Sequence, residues 1–244
     1  MRVFVTGGSG WIGYAVVPEL VGAGHEVAAL ARSETSAAAL AAAGAKVVRG
    51  SLDDLDVLSS AASASDGVIH LAFKHDLAFS GDVDGALDAN RLAVDTFGGA
   101  LAGSGRPFVV ASGVFRLTPG KVSTENDGRD PLPAGVSGLG RRLEAEQAAL
   151  AYAAQEVRAS AVRIAPTCHG EGDEGFMAII VGIARDKGIS GYLGDGANRW
   201  PAVHRLDTAR LFRLALEEAP GGSALHAVGE EGVAIRKVAE VIGR

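Results

Sequence analysis

Residues 2–13 of the chain, RVFVTGGSGWIG, decide its fold. Arg2–Thr6 is a short apolar run of the kind found in strands, and a helix-like segment follows the glycines. In a strand–turn–helix unit, Gly7 allows the tight turn, Gly10 lets the backbone approach a pyrophosphate and Gly13 lets the helix pack closely on the strand. The helix N-terminus adds free N–H groups. The stretch therefore predicts a dinucleotide-binding turn; the alternative is a glycine-rich turn that serves packing only.

Strand and helix patterns alternate after this turn. Strands are predicted at Arg2–Thr6, Glu26–Ala31, Ala45–Arg49, Gly67–Leu71, Pro107–Ala111 and Ala159–Ile164. Helices are predicted at Trp11–Ala23, Thr35–Ala43, Leu55–Ala62, Gly85–Gly103 and Leu139–Gln155. Because short apolar strands that alternate with helices form a parallel sheet covered on both faces, the fold class is α/β, a Rossmann-type doubly wound parallel sheet.

The alternation of strand and helix patterns becomes less regular beyond Pro166. Helices are predicted at Gly175–Lys187, Asp207–Glu218 and Ile235–Ile242, with short strands at Gly191–Leu193 and Leu225–Val228. We interpret residues 1–165 as an NAD(P)-binding Rossmann domain and residues 166–244 as a small C-terminal substrate lobe of the same structural unit. The lobe is expected over the carboxyl ends of the strands, where open α/β sheets bind ligands. The pattern leaves open whether the natural chain continues past Arg244.

Composition narrows the function class. The chain has 244 residues, 48% hydrophobic and 21% charged, as in ordinary globular proteins. A net charge of −6 without a basic run argues against nucleic acid as a partner. The single cysteine, Cys168, excludes an internal disulfide and fits a reducing compartment. With no apolar stretch of membrane-spanning length and no secretion leader, we expect a cytoplasmic protein without a membrane partner.

Five segments occur in an order that resembles a known family. They are Thr6–Gly13 (TGGSGWIG), Val68–Ala72 (VIHLA), Val110–Gly113 (VASG), Arg163–Pro166 (RIAP) and Ala202–Asp207 (AVHRLD). Together they resemble the short-chain dehydrogenase/reductase superfamily, specifically its extended and atypical branches, which are epimerase/dehydratase-like. The resemblance covers nearly the whole chain. It implies cofactor contacts from Thr6, Gly7, Gly10, Trp11, Ile12 and Gly13.

The proton-donating pair of that family does not appear in this sequence. The family carries Tyr-x-x-x-Lys, in which the tyrosine gives the proton and the lysine lowers its pKa. Aligned on the helical segment Glu144–Glu146, Arg142 stands at the lysine position and Gly138 at the tyrosine position. Each tyrosine of the chain is followed four residues later by a residue other than lysine: Tyr14, Tyr152 and Tyr192. The chain thus resembles the atypical subgroups that keep the cofactor fold without this donor.

The resemblance assigns further cofactor contacts. Arg32 follows the second strand, where an NAD site carries an acidic residue; a basic residue suits a 2′-phosphate, which favours NADP(H) over NAD(H). Ser51 and Leu52 stand where the family has Asp-Leu beside the adenine, and Asp53 is equally well a helix N-cap. The remaining contacts are expected from Leu71, Ala72, Phe73, Ser112, Arg142 and Pro166.

Three residues are the leading candidates for catalysis, and a fourth is the second choice of proton donor. Ser112, at the end of the fifth strand, is placed to hydrogen-bond a substrate carbonyl. Arg142 keeps the lysine's positive charge and can hold ribose hydroxyls or an oxyanion, although its pKa is too high for proton donation. His169 is the best replacement donor because a histidine titrates near neutrality, and Tyr192 is the second choice.

Several other residues have both a functional and a structural interpretation. His70 is interpreted as a core histidine, whereas His75 and Asp76 could face substrate. Trp200 either walls the substrate or packs the lobe, and His204 is expected to bond Asp207. Three acidic residues are interpreted as helix-start electrostatics, with no metal set in the chain: Glu171, Asp173 and Glu174.

The leading hypothesis is an NADP(H)-dependent oxidoreductase that moves a hydride between the cofactor and a small carbonyl or alcohol, with Ser112 and either His169 or water managing the proton. A non-enzymatic NADP(H)-binding redox sensor similar to NmrA and a nucleotide-sugar epimerase or dehydratase are the alternatives. The partner is a small-molecule substrate. Members of the family often form dimers through two long helices. The corresponding helices here are Gly85–Gly103 and Leu139–Gln155, which makes a homodimer possible.

Overall fold

The computed structural model of the protein describes residues 1–114, 120–130, 132, 137–173 and 175–244, with only the backbone of residues 138 and 139. The strands are β1 Arg2–Thr6, β2 Glu26–Ala31, β3 Lys46–Arg49, β4 Gly67–His70, β5 Pro107–Gly113, β6 Arg158–Ile164, β7 Thr167–His169, β8 Arg199–His204, β9 Ser223–Ala227 and β10 Glu230–Ala234. The helices are α1 Gly13–Gly22, α2 Glu34–Ala42, α3 Leu55–Ser63, α4 His75–Phe79, α5 Val83–Leu101, α6 Arg142–Ala151, α7 Phe176–Lys187, α8 Arg205–Glu218 and α9 Ile235–Ile242.

Seven strands form a parallel sheet in the order β3-β2-β1-β4-β5-β6-β9. The predicted α/β Rossmann-type sheet is therefore confirmed, and the six strands predicted up to Ile164 lie within two residues of the observed bounds. The strands are apolar on both faces because helices cover both. Leu20 and Phe212 pack in the core on one face, and Phe97 and Phe108 pack on the other.

A second, three-stranded sheet has the order β10-β8-β7. The sequence did not predict these strands, because β7 has only three residues and β8 contains Pro201. The strand predicted at Gly191–Leu193 is wrong, since this glycine-containing stretch has no strand structure. The predicted strand near Leu225 exists as β9, and it joins the main sheet beside β6.

The later part of the chain is thus shared between the two sheets. β9 extends the main sheet, and α8 packs on the same core as α1 through Phe212 and Leu216. The domain boundary after residue 165 stays a prediction. The stretch Leu117–Pro133, rich in Gly, Asp and Pro, is predicted from the sequence to be a polar loop, and its residues 117–119, 131 and 133 lie outside the described residues. Within the described part of the chain, no helix is long and apolar enough to cross a membrane.

Candidate functional site

A groove of about 1110 Å³ opens at the carboxyl ends of β1 to β4. The predicted cofactor residues among its lining are Gly7, Gly10, Trp11, Ile12, Gly13, Arg32, Ser51, Leu52, Leu71, Ala72 and Phe73. These residues come from four different strand ends, and the parallel order of the sheet brings them together. The groove therefore lies where an open α/β sheet binds its ligand.

The glycine turn is close-packed in a way that only glycine permits. Gly7 has φ +71°, and a Cβ on it would lie 2.6 Å from the Ala72 nitrogen. A Cβ on Gly13 would overlap the Gly7 carbonyl oxygen. By contrast, a Cβ on Gly10 would meet only that oxygen, at 3.3 Å, so Gly10 faces the open groove. Absence of a side chain at Gly10 thus leaves room for a ligand instead of serving the packing.

Free backbone donors face the groove at the start of α1. The Gly10 amide donates to the Gly7 carbonyl at 3.0 Å, whereas the amides of Trp11 and Ile12 form no hydrogen bond within the described residues. Unpaired N–H groups at the N-terminus of a helix, with the positive end of its dipole, attract phosphate. The turn therefore fits a dinucleotide pyrophosphate.

Thr6 supports the turn from beneath and does not line the groove. It is fully buried, and its hydroxyl lies 2.6 Å from His70 Nδ1 and 3.4 Å from the Ala72 amide. His70 Nε2 lies 3.1 Å from Asn90 Oδ1. Burial lowers the pKa of His70 to about 4, so the ring is neutral at pH 7. The interpretation of His70 as a core histidine is confirmed.

Two ion pairs lie in the groove near the ends of β2, β3 and β4. Arg32 Nη1 lies 2.7 Å from Asp76 Oδ2, and both side chains are well exposed. The Arg32 guanidinium and the amide of Leu77 hold the pKa of the Asp76 carboxyl below its usual value. Lys74 Nζ lies 2.6 Å from both carboxylate oxygens of Asp53. Two positively charged side chains, Arg32 and Lys74, thus line this part of the groove, and each is paired with a carboxylate.

The N-cap interpretation of Asp53 is wrong, because α3 begins one residue later. Its N-cap is Asp54, whose carboxylate accepts from the amide of Ser51 at 2.7 Å and from the Ser51 hydroxyl at 2.9 Å. These hydrogen bonds lower the pKa of Asp54. Asp53 is instead free to reach Lys74 across the groove. Ser51 is thereby fixed in position at the groove wall.

Arg142 and Ser112 lie away from the groove lining but carry unsatisfied polar groups. The Arg142 guanidinium stacks on the Phe73 ring at 4.1 Å, and burial lowers its pKa. It forms no hydrogen bond or ion pair with the described residues. Its charge lowers the pKa of His75 in addition to the larger effect of burial. The buried Ser112 hydroxyl also has no partner there.

Trp11 joins the glycine turn to the smaller sheet. Its indole N–H donates to the Cys168 carbonyl at 2.8 Å, and the Arg205 guanidinium lies 4.0 Å above its ring. His169, at the end of β7, pairs in register with His204 on β8, and their rings are 5.4 Å apart. His169 Nε2 also lies 3.9 Å from Glu230 Oε2. The proposed proton donor thus belongs to the smaller sheet, and Pro166 is exposed in the connection that precedes it.

Two further predictions concern the side chains of His204 and Trp200. His204 accepts from the Leu206 amide at 3.2 Å and caps α8, so the expected bond to Asp207 is wrong: the ring nitrogen reaches the nearer backbone donor. Trp200 packs on Phe176 with ring centroids 4.8 Å apart, which is a packing role within the lobe.

The acidic loop and the second proton-donor candidate flank α7 in the chain. Asp173 accepts from the Gly175 amide at the start of α7, consistent with helix-start electrostatics. Glu174 lies outside the described residues. Tyr192 is in a stretch without regular structure. In the described part of the chain, no group of three or more His, Cys, Asp and Glu could hold a metal.

Sequence reasoning missed Asp76 as the partner of Arg32, because the short helix α4 gives no periodic signal over five residues. It also missed Asn90, because a single polar position on the long helix α5 gives no signal of its own. Arg205 was missed as well. For Arg205 a signal existed: in Ala202–Asp207 it stands where the family segment V-H-V-D-D has valine.

Comparisons with known proteins agree with this architecture. The model of the NAD dependent epimerase/dehydratase family matches residues 3–227. An uncharacterized protein of Saccharomyces cerevisiae is 44% identical over 245 residues, covering 100% of this chain and 80% of the yeast protein. A Dictyostelium discoideum protein named sterol-4-alpha-carboxylate 3-dehydrogenase, decarboxylating, is 29% identical, covering 97% of this chain and 74% of that protein.

A solved structure of DesIV, a dTDP-glucose 4,6-dehydratase from Streptomyces venezuelae with NAD bound, has a TM-score of 0.79 and 23% identity. The match covers 99% of this chain and 80% of that one. This likeness concerns the fold.

Proposed function

Because the chain belongs to the NAD-dependent epimerase/dehydratase family, we propose that it is an NADP(H)-dependent oxidoreductase that acts on a small carbonyl or alcohol. The observation that carries the proposal is the groove in which Gly10, the free amides of Trp11 and Ile12, and Arg32 lie at the ends of one parallel sheet. The cofactor, when bound, supplies the hydride. The protein's own residues bind it, orient the substrate and handle the proton.

Arg32 supports the preference for NADP(H). A guanidinium is the side chain best suited to a phosphate, and the exposed end of β2 is where the adenosine ribose reaches. In the structure the Asp76 carboxylate already pairs with Arg32, with 2.7 Å between Asp76 Oδ2 and Arg32 Nη1. An ion pair between exposed side chains contributes at most about 1 kcal/mol, so a 2′-phosphate can displace the carboxylate.

Ser112, Arg142 and His169 are the residues to which we assign the chemistry. The Ser112 hydroxyl lacks a partner among the described residues and can donate to a substrate carbonyl. Arg142 can hold a ribose hydroxyl or an oxyanion, since its guanidinium stacks on Phe73 and forms no hydrogen bond or ion pair with the described residues. His169 can supply the proton that a tyrosine gives in relatives, because it lies half-exposed at the end of β7.

The Dictyostelium relative supports a redox reaction, since its name describes a dehydrogenase acting on a carboxylate-bearing substrate. The family description favours a second candidate, a nucleotide-sugar epimerase or dehydratase. An enzyme of that type returns the hydride within one catalytic cycle. Purified protein that releases stoichiometric nucleotide on denaturation and interconverts sugar nucleotides would favour it. Binding of NADPH without turnover of any carbonyl would favour the sensor.

Cofactor binding tests the groove directly. We expect NADPH to bind in the micromolar range, and Gly10→Ala to lose this binding because the new methyl group occupies the pyrophosphate space while the fold tolerates it. Gly22→Ala, where a Cβ meets nothing within 4 Å, is the matched control and should bind normally. The measurement is quenching of Trp11 fluorescence in a Trp200→Phe background. Equal binding by both variants would remove the groove as the cofactor site.

The same titration tests Arg32. Arg32→Gln should weaken NADPH binding about tenfold and leave NADH binding nearly unchanged, because one charge-assisted contact to phosphate is lost. Arg49→Gln, another exposed arginine at the end of the next strand, should change neither. A wild-type protein that binds NADH more tightly than NADPH would contradict the assigned preference.

Ser112→Ala separates a catalytic role from a structural one. Removing a buried hydroxyl that has no partner among the described residues should leave the free energy of unfolding unchanged or raised, while kcat with NADPH and a carbonyl substrate falls about a hundredfold. His169→Gln should also lower kcat, because the proposed proton donor is removed. Full activity in Ser112→Ala or in His169→Gln would exclude the respective assignment.

The remaining parts of the proposal concern assembly and location. A homodimer through the faces of α5 and α6 and a cytoplasmic location stay predictions. Within the chain, Arg141, which directly precedes α6, forms ion pairs of 2.7 Å with Asp84 and Asp88 of α5. Sedimentation at several protein concentrations would measure the oligomeric state.

A further inference from the structure

The Arg205 side chain lies between the glycine turn and the smaller sheet. It begins α8, and its guanidinium stacks 4.0 Å above the ring of Trp11, which lines the groove. Its Nε is buried and has no hydrogen-bond partner among the described residues. Across the described residues, Arg205 forms no ion pair either. A buried guanidinium donor without an acceptor is costly, so the arrangement calls for an acceptor supplied from outside the chain.

A second donor faces the same point. His204 Nδ1 accepts from the Leu206 amide, so in the neutral ring the proton is on Nε2, which is then a donor. A Cβ built on Gly170 would lie 3.6 Å from His204 Nε2 and 3.7 Å from Arg205 Nε. Both donors therefore lie within 4 Å of the position that a Cβ on Gly170 would occupy, and the lack of a side chain at Gly170 leaves that position unfilled.

The surrounding charges do not satisfy Arg205. The Asp173 carboxylate and Arg205 both influence the Cys168 thiol, the first raising and the second lowering its pKa, although burial is the larger cause of its raised pKa. Yet Asp173 accepts from the Gly175 amide, and it makes no ion pair with Arg205 within 4.0 Å. His169 and Glu230 complete the neighbourhood, 3.9 Å apart. Arg205 is thus the strongest donor of this cluster without an acceptor.

We propose that Arg205 and His204, converging beside Gly170, bind an oxyanion carried by the substrate, a carboxylate or a phosphate. Calling the ligand a substrate rests on the proposed oxidoreductase function. The anion site itself rests on geometry alone. The cofactor pyrophosphate has its own donors in the amides of Trp11 and Ile12, and the 2′-phosphate has Arg32. Arg205 does not line the groove that holds those donors, which leaves it for the substrate.

The experiment uses the two tryptophans of the chain as reporters. Their indole N–H resonances, assigned with Trp200→Phe, are followed while the whole protein is titrated with sodium acetate and, separately, inorganic phosphate. The titrations are run with and without saturating NADP⁺. We expect a saturable shift of the Trp11 resonance, since Arg205 stacks on that ring, and none at Trp200. The probe that binds more tightly distinguishes a carboxylate from a phosphate site.

Two variants with matched controls test the residues. Arg205→Gln should weaken the binding of the preferred anion about tenfold or more, because a charge-assisted contact is lost, whereas Arg210→Gln on the same helix should not. Gly170→Ala should block the site with its methyl group. Gly182→Ala, where a Cβ meets nothing within 4 Å, should leave it open. Arg205→Lys, which keeps the charge, should retain part of the affinity.

The outcomes separate this proposal from the function on which it rests. Anion binding that survives in Arg205→Gln, or no saturable shift with either probe, overturns the site. Loss of anion binding on addition of NADP⁺, together with an NADPH affinity weakened tenfold in Arg205→Gln, would make Arg205 a cofactor residue and overturn the substrate role. If NADPH fails to bind at all, the oxidoreductase function fails, while the anion titration still decides the site.

Discussion

At the scale of single residues, His70 shows how a buried side chain supports the groove without taking part in it. Its Nε2 donates to Asn90 Oδ1, so Nδ1 accepts from the Thr6 hydroxyl. The Thr6 oxygen in turn accepts from the Ala72 amide, the backbone against which Gly7 packs. The neutral ring therefore links the core to the floor of the groove. A protonated ring would have no acceptor at Nδ1 other than a hydroxyl.

This arrangement predicts a pH dependence of stability. The folded pKa of about 4 lies below the ordinary value of 6.5, so the unfolded chain binds more protons between these values, and stability falls as the pH drops through that window. From pH 7.5 to pH 5 the loss due to His70 should be about 2 kcal/mol. Urea unfolding at both pH values measures it, and His70→Gln should remove about that much of the pH dependence.

An NMR titration isolates His70 from the other histidines, because burial also lowers the pKa of His75 and His226. The His70 ring resonances should stay unchanged between pH 8 and pH 5. A midpoint near 6.5 for those resonances would show that the ring is not held neutral by the core.

At the scale of elements, the packing of α5 on the segment after α6 depends on one glycine. A Cβ on Gly98 would overlap the ring of Tyr152, whose hydroxyl donates to the Asp95 carbonyl at 3.2 Å. The adjacent Gly99 faces open space, with nothing within 4 Å of a Cβ. The two neighbouring glycines therefore have the same helix propensity and opposite packing environments.

We expect Gly98→Ala to lower the free energy of unfolding by about 1–2 kcal/mol, because the overlap outweighs the gain in helix propensity. Gly99→Ala should raise it by up to about 1 kcal/mol. Chemical denaturation of both variants gives the comparison. In a Tyr152→Ala background the cost of Gly98→Ala should disappear; a cost that persists there would place its origin elsewhere.

Helix ends show a related dependence on long side chains. Arg106 donates to the carbonyls of Ala62, Ser63 and Ser65 at the end of α3, and to the Ala100 carbonyl near the end of α5. One guanidinium thereby donates to carbonyls at the ends of two helices, of which the Ala62 carbonyl also accepts from the Ser65 amide at 3.1 Å. Arginine in the loop before β5 gives no sign of this role in the sequence, because the two helix ends meet only in the folded chain.

At the scale of the whole molecule, a buried ion pair ties the main sheet to its covering helix. Arg163 of β6 donates to Glu146 of α6 at 2.6 and 2.9 Å, and each side chain is only 2% exposed. Arg163 also donates to the Asp127 carbonyl at 2.7 Å. The pairing through Oε1 makes burial of both charges tolerable, although Glu146 Oε2 has no partner among the described residues. The pair holds together a strand, a helix and the connection between β5 and α6.

The sequence by itself determined the parallel sheet and the place of the groove. Glycine spacing around Gly7 and the apolar strands act locally or with a regular period, so their structural meaning is independent of distant residues. Arg163 and Glu146 were visible as motif residues, and Ser112 as the end of a strand. All of these signals depend on the residue type and its neighbours along the chain.

Only the tertiary structure decided which side chains meet. Asp76 was visible as a loop residue, but its pairing with Arg32 joins two strand ends 44 positions apart. The unsatisfied Arg205 became apparent only once Trp11, Gly170 and His204 surrounded it. The smaller sheet also escaped prediction, since its three short strands are held by pairing with each other and by packing. Contacts between residues far apart in the chain leave no periodic pattern, and the polar pairs of a site are contacts of this kind.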